Sequence, residues 1–309
     1  MVKSALDILL LILSVALLWR GAEWLIEGAS VIGKTLGLSD LTIGLTIVAF
    51  GTSAPEFAVT VAAAFQGHAD ISVGNIVGSN IFNLGFILGG CALFGTLKTS
   101  REVVYRDGLL LILTASLLIF FFRDRFLARW EAGILLLGLV SYLFLLWRGR
   151  DRKYKAVGND KAGIRDGAKL LIGIACVVGG GDLLVDSASS IARVLGISEW
   201  VIAVTIVAAG TSAPELATSL MAAVKGKSSI SLGNLIGSDL FNLLGVLGTA
   251  GLIKPMGVVR EAGSSMWMLL AMCVMAVAFM RTGWRLTRME GLLLVLAGAI
   301  RWTLDIFSW

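Results

Sequence analysis

The chain has 309 residues, of which 57% are hydrophobic and only 15% charged, with a mean hydropathy of +0.88. That composition excludes a soluble globular domain of this length and places the chain in a bilayer. The net charge of +5 is spread along the sequence and not gathered on a soluble face, which excludes a nucleic-acid partner.

Ten apolar runs are long enough to cross about 30 Å of hydrocarbon. They cover 5–33, 40–66, 71–95, 102–123, 129–149, 166–194, 200–225, 230–252, 258–281 and 286–307. The sequence thus predicts an all-α integral membrane protein of ten transmembrane helices. The first run lacks a compact hydrophobic region ending in a cleavage site and reads as a retained helix. Within it, Arg20 and Glu23 read as a structural pair, with Glu27 one turn further on. The second run holds the string Gly-Thr-Ser-Ala-Pro-Glu at Gly51–Glu56, and His68 follows it in a loop, where it is solvated. The third run carries Gly74-x-x-x-Gly78, a helix-packing surface, followed by Ser79 and Asn83. After the fifth run comes a charged linker at 150–165, and the sixth run contains Asp182 and Asp186. The seventh run repeats Gly-Thr-Ser-Ala-Pro-Glu at Gly210–Glu215. The eighth carries Gly233-x-x-x-Gly237, Ser238, Asp239 and Asn242. Trp19, Trp130, Trp200 and Trp302 fall near run ends and read as interfacial anchors. Cys91, Cys176 and Cys273 lie alone in separate runs, which points to packing and away from disulfides or thiolate metal sites.

These elements are duplicated. A shift of 159 residues aligns Gly21–Leu84 with Gly180–Leu243 without a gap, and 32 of the 64 pairs are identical. They include Leu36-Gly37 with Leu195-Gly196, Thr46–Ala49 with Thr205–Ala208, and Gly74-Asn75 with Gly233-Asn234. Each half has five runs, so the second half enters the bilayer from the opposite side. This predicts an inverted-topology repeat, 1–149 and 166–309, with a site near the midplane between the halves. Counted over the loops, seventeen Lys and Arg fall on the side of the 150–165 linker and eight on the other. The positive-inside rule then puts the linker in the cytoplasm and both termini outside.

A carboxylate in hydrocarbon costs about 2.5–3.5 kcal/mol on insertion scales, and a proline there removes a backbone hydrogen bond. Both costs appear twice, at matched positions. Thr52 aligns with Glu56 on a helix face, and Thr211 with Glu215. Pro55 and Pro214 leave the carbonyls of Gly51 and Gly210 without their helical donors, free to line a cavity. With Ser53, Ser212, Ser79, Ser238, Asn83 and Asn242 the assembled set is all hard oxygen, which favours Ca²⁺, Na⁺ or Mg²⁺ over zinc, copper or iron. Two facing carboxylates repel unless cations or protons fill the site. One Ca²⁺ neutralises them, and so do two or more Na⁺ or protons. A site that must be filled by one set of cations or another suits an exchanger. The electrostatics alone do not choose between Na⁺ and H⁺.

Gly-Thr-Ser-Ala-Pro-Glu followed by Gly-Ser-Asn-Ile-Phe-Asn at 78–83, with second copies at 210–215 and 237–242, resembles the two α-repeats of sodium/calcium exchangers. The resemblance spans essentially the full length. It implies an antiporter exchanging three Na⁺ for one Ca²⁺, with helices 2, 3, 7 and 8 as an ion-binding core and helices 1 and 6 sliding against it. It further implies Glu56 and Glu215 as central ligands. Thr52, Ser53, Thr211, Ser212, Ser79 and Ser238, with the carbonyls of Ala49 and Ala208, would form flanking Na⁺ sites. Asn83 and Asn242 would stand at the centre. Some relatives carry aspartate at the place of Asn242, and asparagine there argues against coupled K⁺ transport. Asp239 stands where Asn80 stands in the first half and is a second-tier candidate. A Ca²⁺/H⁺ antiporter is the alternative, a cation channel is disfavoured by the repeat, and no His-Glu-x-x-His string or nucleophile–base arrangement suggests an enzyme. The expected partners are Ca²⁺, Na⁺ and the lipid bilayer, with no cofactor beyond the transported ions and no obligate protein partner. The central loop is too short to hold a regulatory Ca²⁺ domain.

Overall fold

The computed structural model describes residues 2–149, 162–196, 208–258 and 262–307, and these are overwhelmingly helical. Helix α1 spans Val2–Thr35. Two arms follow, α2 at Asp40–Thr52 and α3 at Ala54–Gln66, bent by 51° at the break between them. Next come α4 at Ala69–Phe94, α5 at Val103–Asp124, α6 at Arg129–Arg148 and α7 at Ile164–Val194. The second half continues with α8 at Ala208–Thr211, α9 at Ala213–Val224, α10 at Ser228–Ile253, α11 at Ala262–Trp284 and α12 at Arg288–Phe307. Seven of the described helices are long and apolar enough to cross a membrane, and the bent α2–α3 pair makes an eighth. The protein is an all-α integral membrane protein.

Two of the ten expected spans fall outside that count for identifiable reasons. Helix α12 carries Arg288, Glu290, Arg301 and Asp305 within 20 residues. The α8–α9 span is described only from Ala208 onward. The expectations for the linker at 150–161, for Trp200, for Thr205–Val207 and for Arg260 also lie outside the described residues.

Local chemistry explains the breaks. Ser53 has φ −80° and ψ 13°, and Ser212 has φ −89° and ψ 8°, so the helix stops at the same residue of both motifs. Pro55 and Pro214 then fall in the first turn of the new helix, where a missing N–H costs little. Glu56 and Glu215 share that first turn, on the positive end of the helix dipole. Gly67 (φ +85°) and Gly226 (φ +71°) follow α3 and α9 in the left-handed region that glycine alone enters cheaply.

Helix α1 packs along α7 more extensively than any other described pair. Gly21 lies so near Cys176 that a Cβ would come within 2.6 Å of it, and one on Gly173 would come within 2.5 Å of the Leu25 nitrogen. The crossing therefore depends on small residues. Two hydrophobic clusters result. One joins α1, α2, α7 and α9 around Leu25, Ile26, Ile43 and Val177, and the larger one joins α4, α5, α6, α10 and α11. Two-residue strands clip the loops of one half to those of the other. Strand β1 (Leu97–Lys98) pairs antiparallel with β4 (Arg285–Leu286), and β2 (Phe126–Leu127) pairs with β3 (Met256–Gly257).

One packing expectation changes, and another is covered only in part by the described residues. Gly233 and Gly237 do pack tightly, with Cβ positions 2.6 Å from the Leu41 carbonyl and 2.7 Å from Leu45. Gly74 and Gly78 are exposed, with nothing described within 4 Å of a Cβ. By the 159-residue shift, the counterparts of Leu41, Gly44 and Leu45 are positions 200, 203 and 204, outside the described residues. Trp302 is half-buried against Phe82 and Phe86, at ring-centroid distances of 5.6 and 5.1 Å, and is thus packed within the protein as well as near a helix end. Trp19 and Trp130 are exposed, as anchors require.

Candidate cation site

The two helix breaks face each other across the molecule. Ser53 Oγ donates to Glu215 Oε1 at 2.8 Å, and Ser212 Oγ donates to Glu56 Oε1 at 3.1 Å. Each glutamate is thus completed by the serine of the other motif. Ser238 Oγ adds a second, longer bond to Glu215 Oε1 at 3.4 Å. Thr52 Oγ1 lies 3.2 Å from Asn234 Oδ1 and 3.4 Å from Ser238 Oγ, which ties α2 to α10. Ser79 is buried on α4.

Glu56, Glu215, Thr52, Ser53, Ser212, Ser238, Asn83 and Asn242 are fully buried. Thr211 is half-buried at the end of α8. The Ala49 carbonyl already accepts the Ser53 N–H at 3.0 Å and the Thr52 hydroxyl at 3.3 Å, so a cation would have to take one of those places. Ala208 is the first described residue of α8, at the position that Ala49 holds in α2.

One oxygen of every key group has no hydrogen-bond partner. These are Glu56 Oε2, Glu215 Oε2, Asn83 Oδ1, Asn242 Oδ1 and Asp239 Oδ2, all buried. An unmatched buried acceptor costs about 1–3 kcal/mol, more when charged. Together these buried acceptors make a centre of negative potential that a cation relieves. Among the described residues no three His, Cys, Asp or Glu side chains stand close enough to hold one metal ion together. The centre therefore combines carboxylates with neutral amide and hydroxyl oxygens, which suits hard, exchangeable cations.

Several participants were not singled out by sequence reading. Asn234 Nδ2 donates to Ser219 Oγ at 2.9 Å, and its counterpart Asn75 Nδ2 donates to Thr60 Oγ1 at 3.0 Å. These bonds brace α10 on α9 and α4 on α3. Asn83 begins a widened π-turn (Asn83–Leu88), and Asn242 lies in another (Phe241–Val246). Such turns shift the phase of the side chains after them and recur at functional sites. Asn80 and Asp239, buried on α4 and α10, join the asparagines from one half to the other. The duplicated Asn75 and Asn234 were a legible signal; the cross-half bonds were not.

At the end of α9, Lys225 Nζ donates to Glu23 Oε1 at 2.9 Å and Glu27 Oε1 at 3.0 Å. Burial opposes its charge, but the bonds to Glu23 and Glu27 outweigh that and hold the ammonium above its ordinary value. Lys169 Nζ reaches Glu27 Oε2 at 2.9 Å, and Lys227 Nζ reaches Ser30 Oγ at 2.9 Å. Arg20 does pair with Glu23, which it shares with Lys225. His68 is exposed in its loop.

A family model described as "Sodium/calcium exchanger protein" matches residues 6–148 and 168–299. The chain is 38% identical over 298 residues to the putative antiporter CaxA of Alkalimonas amylolytica, covering 92% of this chain and 93% of that one. It is 34% identical over 337 residues to the sodium/calcium exchanger MaX1 of Methanosarcina acetivorans, covering 94% and 95%. A solved structure of the sodium-calcium exchanger NCX_Mj superposes with a TM-score of 0.85 at 29% identity, covering 96% of this chain and 97% of its own.

Proposed function

Because the chain belongs to the sodium/calcium exchanger family, whose members are transporters and not enzymes, we propose that it exchanges Na⁺ for Ca²⁺ by alternating access. The observation that carries this reading is the pair of buried glutamates, each hydrogen-bonded by the serine of the opposite motif and each keeping one oxygen unpartnered. Glu56 and Glu215 are the ligands common to both ions. Thr52, Ser53, Ser79, Thr211, Ser212 and Ser238, with the carbonyls of Ala49 and Ala208, serve flanking Na⁺. Asn83 and Asn242 present their free oxygens between them. Three Na⁺ exchange for one Ca²⁺, which moves net charge. The chain is organised as two inverted five-helix repeats, 1–149 and 166–309, joined by a cytoplasmic linker at 150–165, with both termini outside a cell membrane. The matched breaks at Ser53 and Ser212 support that division. Helices α1 and α7, which pack chiefly on each other, slide along the core that carries the glutamates.

Radioactive Ca²⁺ uptake into proteoliposomes tests the reading. Uptake that needs internal Na⁺, compared with choline-loaded vesicles, is the expected result. Uptake driven by a pH gradient alone would keep the glutamates but make the protein a Ca²⁺/H⁺ antiporter. A positive internal potential that grows with Na⁺ entry into Ca²⁺-loaded vesicles checks the three-for-one count.

A further inference from the structure

Within Ile71–Leu84, the stretch of the first half that lines the site, the repeat changes charge at one polar position: Asn80 stands where the second half has Asp239. Both side chains are fully buried. Asp239 Oδ1 accepts from Asn83 Nδ2 at 3.0 Å. The main-chain carbonyl of Asp239 accepts from Asn80 Nδ2, also at 3.0 Å. Asn80 Oδ1 in turn accepts from Asn242 Nδ2 at 3.0 Å.

The chemistry of these groups leaves one arrangement. A carboxylate has no donor, so Asn83 must present its NH₂ to Asp239 and turn its oxygen away. A main-chain carbonyl likewise only accepts, so Asn80 must spend its NH₂ on residue 239 and keep its oxygen for Asn242. Asn242 then also presents its NH₂ and turns its oxygen away. The result is the pair of unpartnered, buried oxygens Asn83 Oδ1 and Asn242 Oδ1.

We propose that Asp239 is a positioning residue that fixes the polarity of this relay, its side chain orienting Asn83 and its backbone orienting Asn242 through Asn80, so that both amide oxygens face the transported cation. This rests on the cation-site reading above. Asp239 acts through Asn83 and is not a third carboxylate ligand, in keeping with the lack of any three-carboxylate cluster among the described residues. Asparagine at 239 would still offer an acceptor, as Asn80 does for Asn242, though without a carboxylate's inability to flip. Leucine at 239 would free the Asn83 amide to turn its NH₂ on the cation.

The test is equilibrium dialysis of radioactive Ca²⁺ with the full-length protein in detergent, alongside proteoliposome uptake. Asp239→Leu should raise the Ca²⁺ dissociation constant about tenfold, the scale of one charge-assisted hydrogen bond, while Asp239→Asn stays within about threefold. In an Asn83→Ala background, Asp239→Leu should add less than about twofold, because the two act as one unit. An undiminished loss in that background overturns the proposal, and so does a tenfold loss in Asp239→Asn, which would make the charge itself the ligand. Asp239→Asn decides the matter alone if Asp239→Leu does not fold. Wild-type protein that binds Ca²⁺ without Na⁺-dependent uptake defeats the exchange reading and leaves the relay standing; wild-type protein that binds no Ca²⁺ overturns both.

Discussion

Glu215→Gln isolates charge from shape. Glutamine keeps the side-chain volume and an oxygen that accepts from Ser53 at 2.8 Å and Ser238 at 3.4 Å, so the link between the motifs survives. What goes is one unit of charge at a fully buried position and the acceptor character of Oε2, which has no other partner. Two unit charges about 4 Å apart interact by about 4 kcal/mol at an effective dielectric constant near 20, and a divalent ion doubles that. If desolvation cancels half of the doubled figure, about 4 kcal/mol remains, or roughly 10³-fold in Ca²⁺ affinity. Removing the charge also relieves repulsion with Glu56, so the cation-free variant should unfold at a temperature no lower than the wild type. Thermal unfolding in detergent with chelator and with millimolar Ca²⁺ reads both quantities. Wild type should gain stability from Ca²⁺ by mass action, and the variant should gain none. A variant that keeps its Ca²⁺-induced shift, or its Ca²⁺ uptake, refutes the assignment of Glu215.

Ser53→Ala and Ser212→Ala remove matched hydroxyl–carboxylate bonds of 2.8 and 3.1 Å, each about 1.5–3 kcal/mol. Both should raise the Na⁺ concentration for half-maximal exchange by about tenfold or more; unequal losses would mean that the two halves do not contribute alike. Gly233→Ala would place a Cβ 2.6 Å from the Leu41 carbonyl and 3.0 Å from the Leu45 nitrogen, and should destabilise the protein by about 1–3 kcal/mol. Gly133→Ala, with nothing described within 4 Å, is the matched control, and equal unfolding temperatures for the two would contradict the packing. Lys225 has a raised folded-state value, so its bonds to Glu23 and Glu27 contribute fully below the ordinary lysine value of about 10.4. That contribution fades as pH rises through the raised value. The stability gap between wild type and Lys225→Gln should therefore hold from neutral pH to about pH 10, and a gap that closes near neutrality would rule out the ion pair as its source.

Much of the fold was legible because hydrocarbon thickness fixes helix length and because Pro beside Glu is too costly in a bilayer to occur twice by chance. The bent 40–66 span, its break at the motif and the pairing of two such breaks all followed from that. Other features left no comparable trace. Lipid-facing and protein-facing residues are both apolar, so hydropathy could not tell that Gly233 packs against Leu41 and Leu45 of the other half. The bond from Asn83 to Asp239 joins two helices of different halves, and periodicity along either helix carries no record of such a pairing. The clips β1–β4 and β2–β3 span only two residues each, too short for any alternation to show. Trp302 read as an anchor from its position near a helix end, although its ring faces Phe82 and Phe86.

The exchange of serines between motifs bears on the history of the chain. Ser53 serves Glu215 and Ser212 serves Glu56, so neither half carries a finished carboxylate of its own. A half-length ancestor inserted alone would have lacked the serine that now lies closest to its glutamate. Such a chain would have had a complete centre only with a second copy against it, a meeting that a single polypeptide makes permanent. Once fused, the copies no longer had to stay identical. The aspartate at position 239, opposite an asparagine at 80, is one such divergence.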